Sequence, residues 1–205
     1  MADYIAESKD NAQPINDEKS SHRLSIWYHP IYTNGIHPDA RFPRDRYTKL
    51  IDNLNTPEYS DKFIIQQPTE ASRKELIIAH DPYYVDNFLN QNLTEKEIKR
   101  IGLTPWTPQI IPRTLLLMGG AIAALDHVMQ NGGIAGNMAG GTHHAHYDFG
   151  SGYCIFNDLA VCSLLALSKY NVTKIAVVDF DVHQGDGTAT ILQNIDEVLT
   201  ISVHC

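Results

Sequence analysis

Two continuous apolar runs near the C-terminal end of the sequence constrain the fold more than any other feature. Lys174 to Phe180 (KIAVVDF) and Val198 to Val203 are rich in β-branched residues, and a helical segment, Thr188 to Gln193, lies between them. Such runs are typical of strands buried on both faces of a parallel sheet. A short strand is also predicted over Gly133 to Met138, before an apolar helix over Leu159 to Tyr170. This alternation predicts crossover units, and therefore an α/β fold with a parallel β-sheet flanked by helices.

Length and composition favour one globular domain. The chain has 205 residues, of which 43% are hydrophobic and 20% are charged. These values are ordinary for a soluble globular protein and exclude disorder along the whole chain. Residues 1–22 are polar and aperiodic, which predicts a flexible tail ahead of a domain over residues 23–205.

The first half of that domain is expected to be less regular than the second. Residues 29–46 are rich in Pro, Gly, His and Asp, which predicts a long irregular loop, and three prolines argue against regular structure over residues 102–112. Asp81 followed by Pro82 has the pattern of a helix start. The other predicted elements are a strand over Leu24–Tyr28 and helices over Tyr47–Leu54, Pro82–Leu89 and Arg113–Gln130.

Charge and cysteine content exclude several classes of function. Sixteen basic against 24 acidic residues give a net charge of −8, which argues against direct nucleic-acid binding because that needs a basic face. No apolar run reaches the length of about 18 residues that suggests a membrane span. The N-terminus lacks the pattern of a secretory signal, so we expect a cytoplasmic protein. Cys154, Cys162 and Cys205 are interpreted as reduced thiols.

The end of the first apolar run carries three ionisable groups at alternate positions, Asp179, Asp181 and His183. An extended strand places such residues on one side, and three buried ionisable groups need compensating charge, which a metal ion supplies. Oxygen and imidazole ligands suit Zn²⁺ or Fe²⁺. The structural alternative is a set of helix caps or satisfied core acids.

A second constellation, Gly140-Gly141-Thr142-His143-His144, follows the short strand. In a loop, both imidazoles can point into one cavity, which makes them candidates for an acid/base pair. The alternative is a solvated loop. We expect His146 to lie on the surface, and the segment that follows to form either the lip of a pocket or a tight turn with Tyr153 packed.

Together these segments resemble a known family. GGTHHAH, GSGYCIFNDLA and VVDFDVHQGDGT are similar to the consecutive signature blocks of the histone deacetylase superfamily. That superfamily includes bacterial acetoin-utilisation and polyamine deacetylase relatives and shares the arginase-type α/β fold. YHPIYTNGIHPDARFPRDRY also resembles the family's first loop, which lines the mouth of the active site. The resemblance looks closest to bacterial and class IV members.

The resemblance implies a zinc-dependent hydrolase that removes acyl groups from lysine or a related amine, with Fe²⁺ as the alternative metal. His143 and His144 match the catalytic pair, with His144 as the general acid/base. Asp179 and Asp186 match the acids that orient them. Asp181 and His183 match two metal ligands, and Gly152 and Tyr153 match the substrate channel. The residues that match a monovalent cation site, expected to hold K⁺, are Asp179, Asp181, His183, Ser202 and Val203.

One departure from the family pattern bears on activity. The family's third metal ligand and its transition-state tyrosine lie on later segments, whereas this sequence ends at Cys205. We therefore expect a truncated or degenerate chain that binds metal weakly and shows little activity alone. Two alternatives stay open: a non-catalytic remnant that binds an acylated ligand or partner, and a deacetylase of small molecules such as acetylpolyamines. The sequence does not determine the oligomeric state.

Overall fold

The computed structural model describes residues 23–205, so the tail predicted over residues 1–22 lies outside the described residues. Strands and helices alternate along the described chain. In order they are β1 (Leu24–Trp27), α1 (Ile31–Asn34), α2 (Arg46–Leu54), β2 (Phe63–Gln66), α3 (Arg73–Leu76), α4 (Pro82–Leu89), α5 (Glu95–Ile101), α6 (Ile110–Asn131), β3 (Ala135–Asn137), α7 (Asp158–Tyr170), β4 (Ile175–Asp179), α8 (Asp186–Leu192) and β5 (Val198–Ser202).

The strands are parallel throughout, and helices flank them, which confirms the predicted α/β class. They form two hydrogen-bonded groups, β2-β1-β3 and β4-β5, and within the described residues β3 and β4 share no ladder. Ile26 in β1 lies opposite Ile65 in β2, and Asp179 at the end of β4 lies opposite Ser202 in β5. The strand ends of β3 and β4 lead directly into the two histidine- and aspartate-rich segments.

Helix α6 forms the centre of the core. It packs on β1, β3 and α7, and a Cβ atom at Gly119 would collide with the backbone of Thr69, so this glycine allows the segment that contains Thr69 to approach the helix closely. The helix begins three residues earlier than expected, because Pro112 lies in its first turn, where a missing N–H costs little. Among the described residues it is the one helix with the length and mean hydropathy of a membrane span, and half of that stretch is buried in the domain.

Burial of β4 and β5 on both faces, expected from their apolar sequences, is wrong. Helices α7 and α8 cover one face, where Val177 exposes 8% of its surface. The opposite face carries Val178, Leu199 and Ile201, which expose 48%, 60% and 40%. The apolar run predicted the strands correctly but could not show how many layers cover them.

The first half is more regular than the sequence suggested. The predicted loop over residues 29–46 contains α1, and β2, α3 and α5 were not predicted at all. Helix α4 begins as expected: Asp81 accepts hydrogen bonds from the N–H groups of Tyr83 and Tyr84, with Pro82 as the first helical residue. Ser72 and Thr94 start α3 and α5 with capping boxes, a signal that the composition of these short polar segments had obscured.

Candidate active site

The loops after β3 and β4 meet around one cavity of about 460 Å³. Because both strands are parallel, their carboxyl ends point to the same side of the domain, which is where α/β folds place ligands. Most of the residues predicted for catalysis, metal binding and the channel line this cavity. They are His143, His144, Gly152, Tyr153, Asp181 and His183.

His143 is held by the last residue of β4. Its Nδ1 atom lies 2.7 Å from Oδ2 of Asp179, and its ring is buried. A Cβ atom at position 185 would contact the same carboxylate oxygen, so Gly185 leaves the space that this carboxylate occupies. The Nδ1–H group donates to Asp179, which directs Nε2 toward the cavity and toward Asp181 Oδ1 at 3.9 Å.

His144 is held in the same way by the first residue of α8. Its Nδ1 atom lies 2.7 Å from Oδ1 of Asp186, which also accepts the N–H of Gly187 at 2.9 Å. Burial raises the pKa of Asp186, but the hydrogen bonds from His144 and Gly187 outweigh it and lower the pKa below its usual value. The ring centroids of His143 and His144 are 4.1 Å apart. The predicted pairing of each imidazole with its own carboxylate is therefore confirmed.

Gly152 lies directly beneath the ring of His144. Its φ is +52°, and a Cβ atom there would approach the imidazole Cδ2 to 2.6 Å. Any other residue would both strain the backbone and push the ring away. Gly152 thus shapes the position of His144 as well as lining the cavity.

Asp181 and His183 face the cavity from turns, not from an extended strand. Strand β4 ends at Asp179, whose Oδ1 accepts the N–H of Asp181 at 2.9 Å. Asp181 Oδ1 in turn accepts the N–H of His183 at 2.8 Å and lies 3.0 Å from its Nδ1. The hydrogen bond from the His183 N–H outweighs partial burial and lowers the pKa of Asp181. Alternation along a strand is therefore the wrong reason for their common direction, which comes from two successive side-chain-to-backbone turns.

The donor set fits a divalent metal in chemistry but falls short in number. A carboxylate and an imidazole on one side of a cavity suit Zn²⁺ or Fe²⁺. Residues 23–205 contain no group of three or more His, Cys, Asp or Glu side chains placed to hold a metal ion. A site with the usual three protein ligands needs one donor more than Asp181 and His183.

The residues matched to a monovalent cation site lie at the same sheet end. The N–H of Val203 donates to the carbonyl of Asp179 at 2.9 Å, and the hydroxyl of Ser202 accepts the N–H of Gly185 at 3.1 Å. The structure therefore brings Asp179, Ser202 and Val203 together, while the side chains of Asp181 and His183 line the cavity. K⁺ binding stays a prediction.

An aromatic pair forms one wall of the cavity. Tyr153 has a φ of +68°, and its ring lies 5.4 Å from that of Phe42 in an edge-to-face arrangement. The ring also lies over Gly102, but Tyr153 exposes 39% of its surface, so the structure agrees better with the pocket-lip interpretation of this segment than with the packed turn. The contribution of Phe42 was missed; the aromatic and basic pattern of FPRDRY was its only signal in the sequence.

Two further residues that shape or line the cavity were also missed. Asp158 accepts the N–H groups of Gly141 and Thr142 at 3.0 Å and 2.8 Å, and so shapes the loop that carries the histidines. Arg113, which lines the cavity, is buried and donates from Nε to the carbonyl of Tyr32 at 3.0 Å; burial lowers its pKa. The only hint of Asp158 was its place beside the helix cap Asn157. Arg113 in an otherwise apolar helix was the other hint.

His146 is not on the surface as expected. Its ring stacks on Phe149 with centroids 4.4 Å apart, and its side chain exposes 19% of its surface. The loop closes on itself here, because the N–H of His146 donates to the carbonyl of Phe149 at 2.9 Å. A polar residue two positions after the pair gave no sign of this closure.

Comparison with known proteins agrees with this geometry. Residues 40–205 match the histone deacetylase domain. An uncharacterized protein of Picosynechococcus is 40% identical over 180 residues, which cover 88% of this chain and 59% of the relative. The acetoin utilization protein AcuC of Bacillus subtilis is 32% identical over 186 residues, covering 86% and 48%. Histone deacetylase 2 of Arabidopsis thaliana is 26% identical over 191 residues, covering 89% and 49%.

The chain thus spans about half to three-fifths of the length of these curated relatives. The match includes the loop with the two histidines, the Gly152–Tyr153 segment and the carboxylates at the end of β4, all of which lie within residues 40–205. The domain match, the relatives and the paired His–Asp geometry lead to one conclusion: the chain belongs to the histone deacetylase family.

Proposed function

We propose that this chain carries the acid/base part of a metal-dependent deacylase site that removes acyl groups from lysine side chains or related amines. The observation that supports the proposal is the pair of His–Asp contacts, each 2.7 Å long. Both face the same cavity as Asp181 and His183. An amide hydrolase needs a positioned base for water and a positioned acid for the leaving amine.

In each of the two histidines, the contact with a carboxylate leaves one ring nitrogen, Nε2, available for proton transfer. When Nδ1–H is donated to a carboxylate, Nε2 is left as the basic atom, and the carboxylate stabilises the imidazolium that forms. In this proposal His144 Nε2 takes the proton from the attacking water and delivers it to the departing amine. His143, buried and held by Asp179, keeps the water and the acyl carbonyl in place.

Asp181 and His183 would hold the metal, together with at least one further donor. A bound Zn²⁺ or Fe²⁺ supplies Lewis-acid polarisation at the acyl carbonyl. Tyr153 and Phe42 form an apolar wall that suits the methylene stem of an acylated lysine, and they exclude water from the reacting amide.

The charge of the cavity lining favours acyl-lysine over an acylpolyamine. Arg46 and Arg113 both line the cavity, whereas Asp181 is the one carboxylate among the described lining residues. The ion pairs within residues 23–205 leave both guanidinium groups without a carboxylate partner. A polyamine carries further positive charges that such a cavity repels, but the acylated end of lysine is neutral.

The test is release of the free amine from an acetyl-lysine peptide and from an acetylpolyamine, with Zn²⁺ or Fe²⁺ added. It should be run on the 205-residue chain and on the longest natural protein that contains it, each beside its His144→Gln variant. We expect turnover that prefers the peptide and that depends on His144. Binding of the peptide without turnover in both forms would favour a non-catalytic role and contradict the proposal.

A further inference from the structure

A third imidazole reaches the carboxylate that orients His144. Asp186 contacts His144 Nδ1 through Oδ1 at 2.7 Å, and its other oxygen, Oδ2, lies 3.5 Å from Nε2 of His146. The carboxylate is thus placed between two imidazoles, one on each oxygen. The second contact is too long for a strong hydrogen bond but short enough for a charge or dipole on His146 to act on the carboxylate.

The hydrogen-bond partner of His146 Nδ1 determines whether Nε2, which faces Asp186, carries a hydrogen. Nδ1 of His146 lies 2.9 Å from the hydroxyl of Thr190, which is also 2.9 Å from the carbonyl of Gly187. If Thr190 donates to Nδ1, the neutral ring carries its hydrogen on Nε2. If Thr190 donates to Gly187, it accepts Nδ1–H, and the ring meets Asp186 favourably as an imidazolium. A neutral ring with a bare Nε2 would turn a lone pair toward the carboxylate, which is repulsive.

The ring of His146 is fixed on its other sides. Phe149 stacks on it at 4.4 Å with an interplanar angle of 18°. The guanidinium of Arg100 in α5 lies 4.2 Å from the centre of the Phe149 ring. The carbonyl of His146 accepts a hydrogen bond from His80 Nδ1 at 3.0 Å. A ring held by stacking on Phe149 and by the contact of Nδ1 with Thr190 has few alternative rotamers, so it can hold a neighbour in place.

We infer that His146 is a positioning residue for the Asp186–His144 pair: its Nε2–H fixes the Asp186 carboxylate in the orientation that holds His144 by Nδ1. The inference deepens the proposed function and rests on it for its effect on rate. It assigns no contact with substrate to His146.

The charged groups around His146 determine the direction of a pH effect. Asp186 and Thr190 face it from α8, Phe149 with Arg100 behind it faces the ring plane, His80 faces its carbonyl, and His144 lies beyond Asp186. An N–H directed at Asp186 Oδ2 takes part of the negative charge that would otherwise stabilise protonated His144. Removing it should therefore move the pH–rate profile to higher pH.

The experiment compares His146→Leu, which removes both ring nitrogens, with His146→Gln, whose amide can still donate to Asp186. His127→Gln is the matched control, because His127 packs edge-to-face against Trp27 with centroids 5.7 Å apart and does not line the cavity. We expect His146→Leu to lower kcat about tenfold with KM unchanged, as for other residues that orient a catalytic group. His146→Gln should recover most of kcat and should return the pH profile toward that of the wild type.

A second readout does not depend on turnover. Imidazole ¹⁵N spectra of the metal-free 205-residue chain report which nitrogen of His144 carries hydrogen. We expect His144 to be held with hydrogen on Nδ1 in the wild type and in His127→Gln, and to sample both tautomers in His146→Leu. An unchanged His144 tautomer in His146→Leu would overturn the inference, whereas absence of turnover in the wild type with the expected spectra would overturn only the proposed function.

Discussion

The two sides of the cavity differ in how firmly their functional residues are held. On the tandem-histidine side, His143 and His144 expose 6% and 22% of their side chains, and each has a carboxylate partner on another element. On the strand side, Asp181 and His183 expose 50% and 72%, and their closest partners are each other. One side is built by contacts between distant parts of the chain, whereas the other is built from a local turn.

This difference separates the two parts of the proposed function. Proton transfer needs imidazoles with a defined tautomer, and the described residues supply everything that defines it. Metal binding needs three ligands with fixed directions, and here two ligands are arranged by neighbours within two positions in sequence. The open face of β4 and β5 belongs to the same side, so packing supports the proposed metal ligands less than it supports the histidines.

The largest expected effect tests the tandem-histidine side of the cavity. In a form of the protein that turns over substrate, His144→Ala should lower kcat by roughly 10²–10⁴-fold, because a positioned acid/base contributes that much. Metal binding, measured by calorimetry, should stay as in the wild type, since His144 is not a proposed ligand. In His183→Ala we expect the opposite pattern: metal binding should weaken directly, and the loss of activity should follow from it. A near-wild-type rate for His144→Ala would remove it from the mechanism.

Gly152→Ala should have the next largest effect. It combines a positive φ, worth about 1–2 kcal/mol for a non-glycine residue, with the contact to the ring of His144. We expect a total loss of about 2–3 kcal/mol in the free energy of unfolding, together with a lower kcat. Gly133→Ala is the matched control, because its φ is +78° but a Cβ atom there meets nothing within 4 Å.

The control separates backbone strain from displacement of the histidine. Gly133→Ala should cost only about 1–2 kcal/mol, the strain of the left-handed region, and should leave kcat unchanged. Denaturant unfolding and steady-state rates measure both quantities. Equal losses of stability and activity in the two variants would show that Gly152 does not position His144.

Sequence patterns predicted local events well and distant contacts poorly. The Asp81 cap and the end of β4 at a cluster of acids follow from a few neighbouring residues, and the structure shows both of them. Asp158 and His146 could not be found in this way, because their partners, the Gly141–Thr142 loop and Asp186, are brought to them only by tertiary folding.

The strand side shows the opposite failure, an expectation that was right for the wrong reason. Alternation along an extended strand predicted a common direction for Asp181 and His183, but the chain turns after Asp179. Their carboxylate and imidazole still converge because Asp and its following backbone N–H groups form turns readily. Likewise an apolar run such as KIAVVDF specifies a strand, while the number of covered faces depends on elements elsewhere in the chain.

A third prediction concerns the buried His80, which supports the tandem-histidine side of the cavity. His80 joins the carbonyl of His146 to the N–H of Asn157, at 3.0 Å and 2.8 Å. Burial lowers its pKa from 6.5 to about 4. Between pH 6.5 and about pH 4, His80 is therefore protonated in the unfolded chain but neutral in the folded chain. Stability is full above pH 6.5 and falls as the pH drops toward 4.

On acidification from pH 7 to pH 4.5, His80 alone should lower the free energy of unfolding by about 2 kcal/mol, since each pH unit between the two pKa values contributes about 1.36 kcal/mol. Other groups also titrate in this range, so the measured quantity is the difference between the wild type and His80→Gln in denaturant unfolding. The variant should be less stable at pH 7 but should lose less on acidification. Parallel pH curves for the two proteins would contradict a buried, neutral His80.

The smallest expected effect tests the strand side of the cavity, where one face of β4 and β5 is exposed. Val177 and Val178 are neighbours in β4, but they expose 8% and 48% of their surfaces. Replacing valine by threonine keeps the shape and exchanges a methyl group for a hydroxyl. At a buried position without a hydrogen-bond partner this costs about 1–3 kcal/mol, whereas at an exposed position the change stays within about 0.5 kcal/mol.

Val177→Thr and Val178→Thr therefore form a matched pair, with the free energy of unfolding in urea as the measurement. We expect the first to be destabilised and the second to unfold like the wild type. The comparison between the two sides of the cavity depends on this result. If Val178→Thr costs as much as Val177→Thr, the second face of β4 is covered in solution, and packing holds Asp181 and His183 more firmly than their exposed turn indicates.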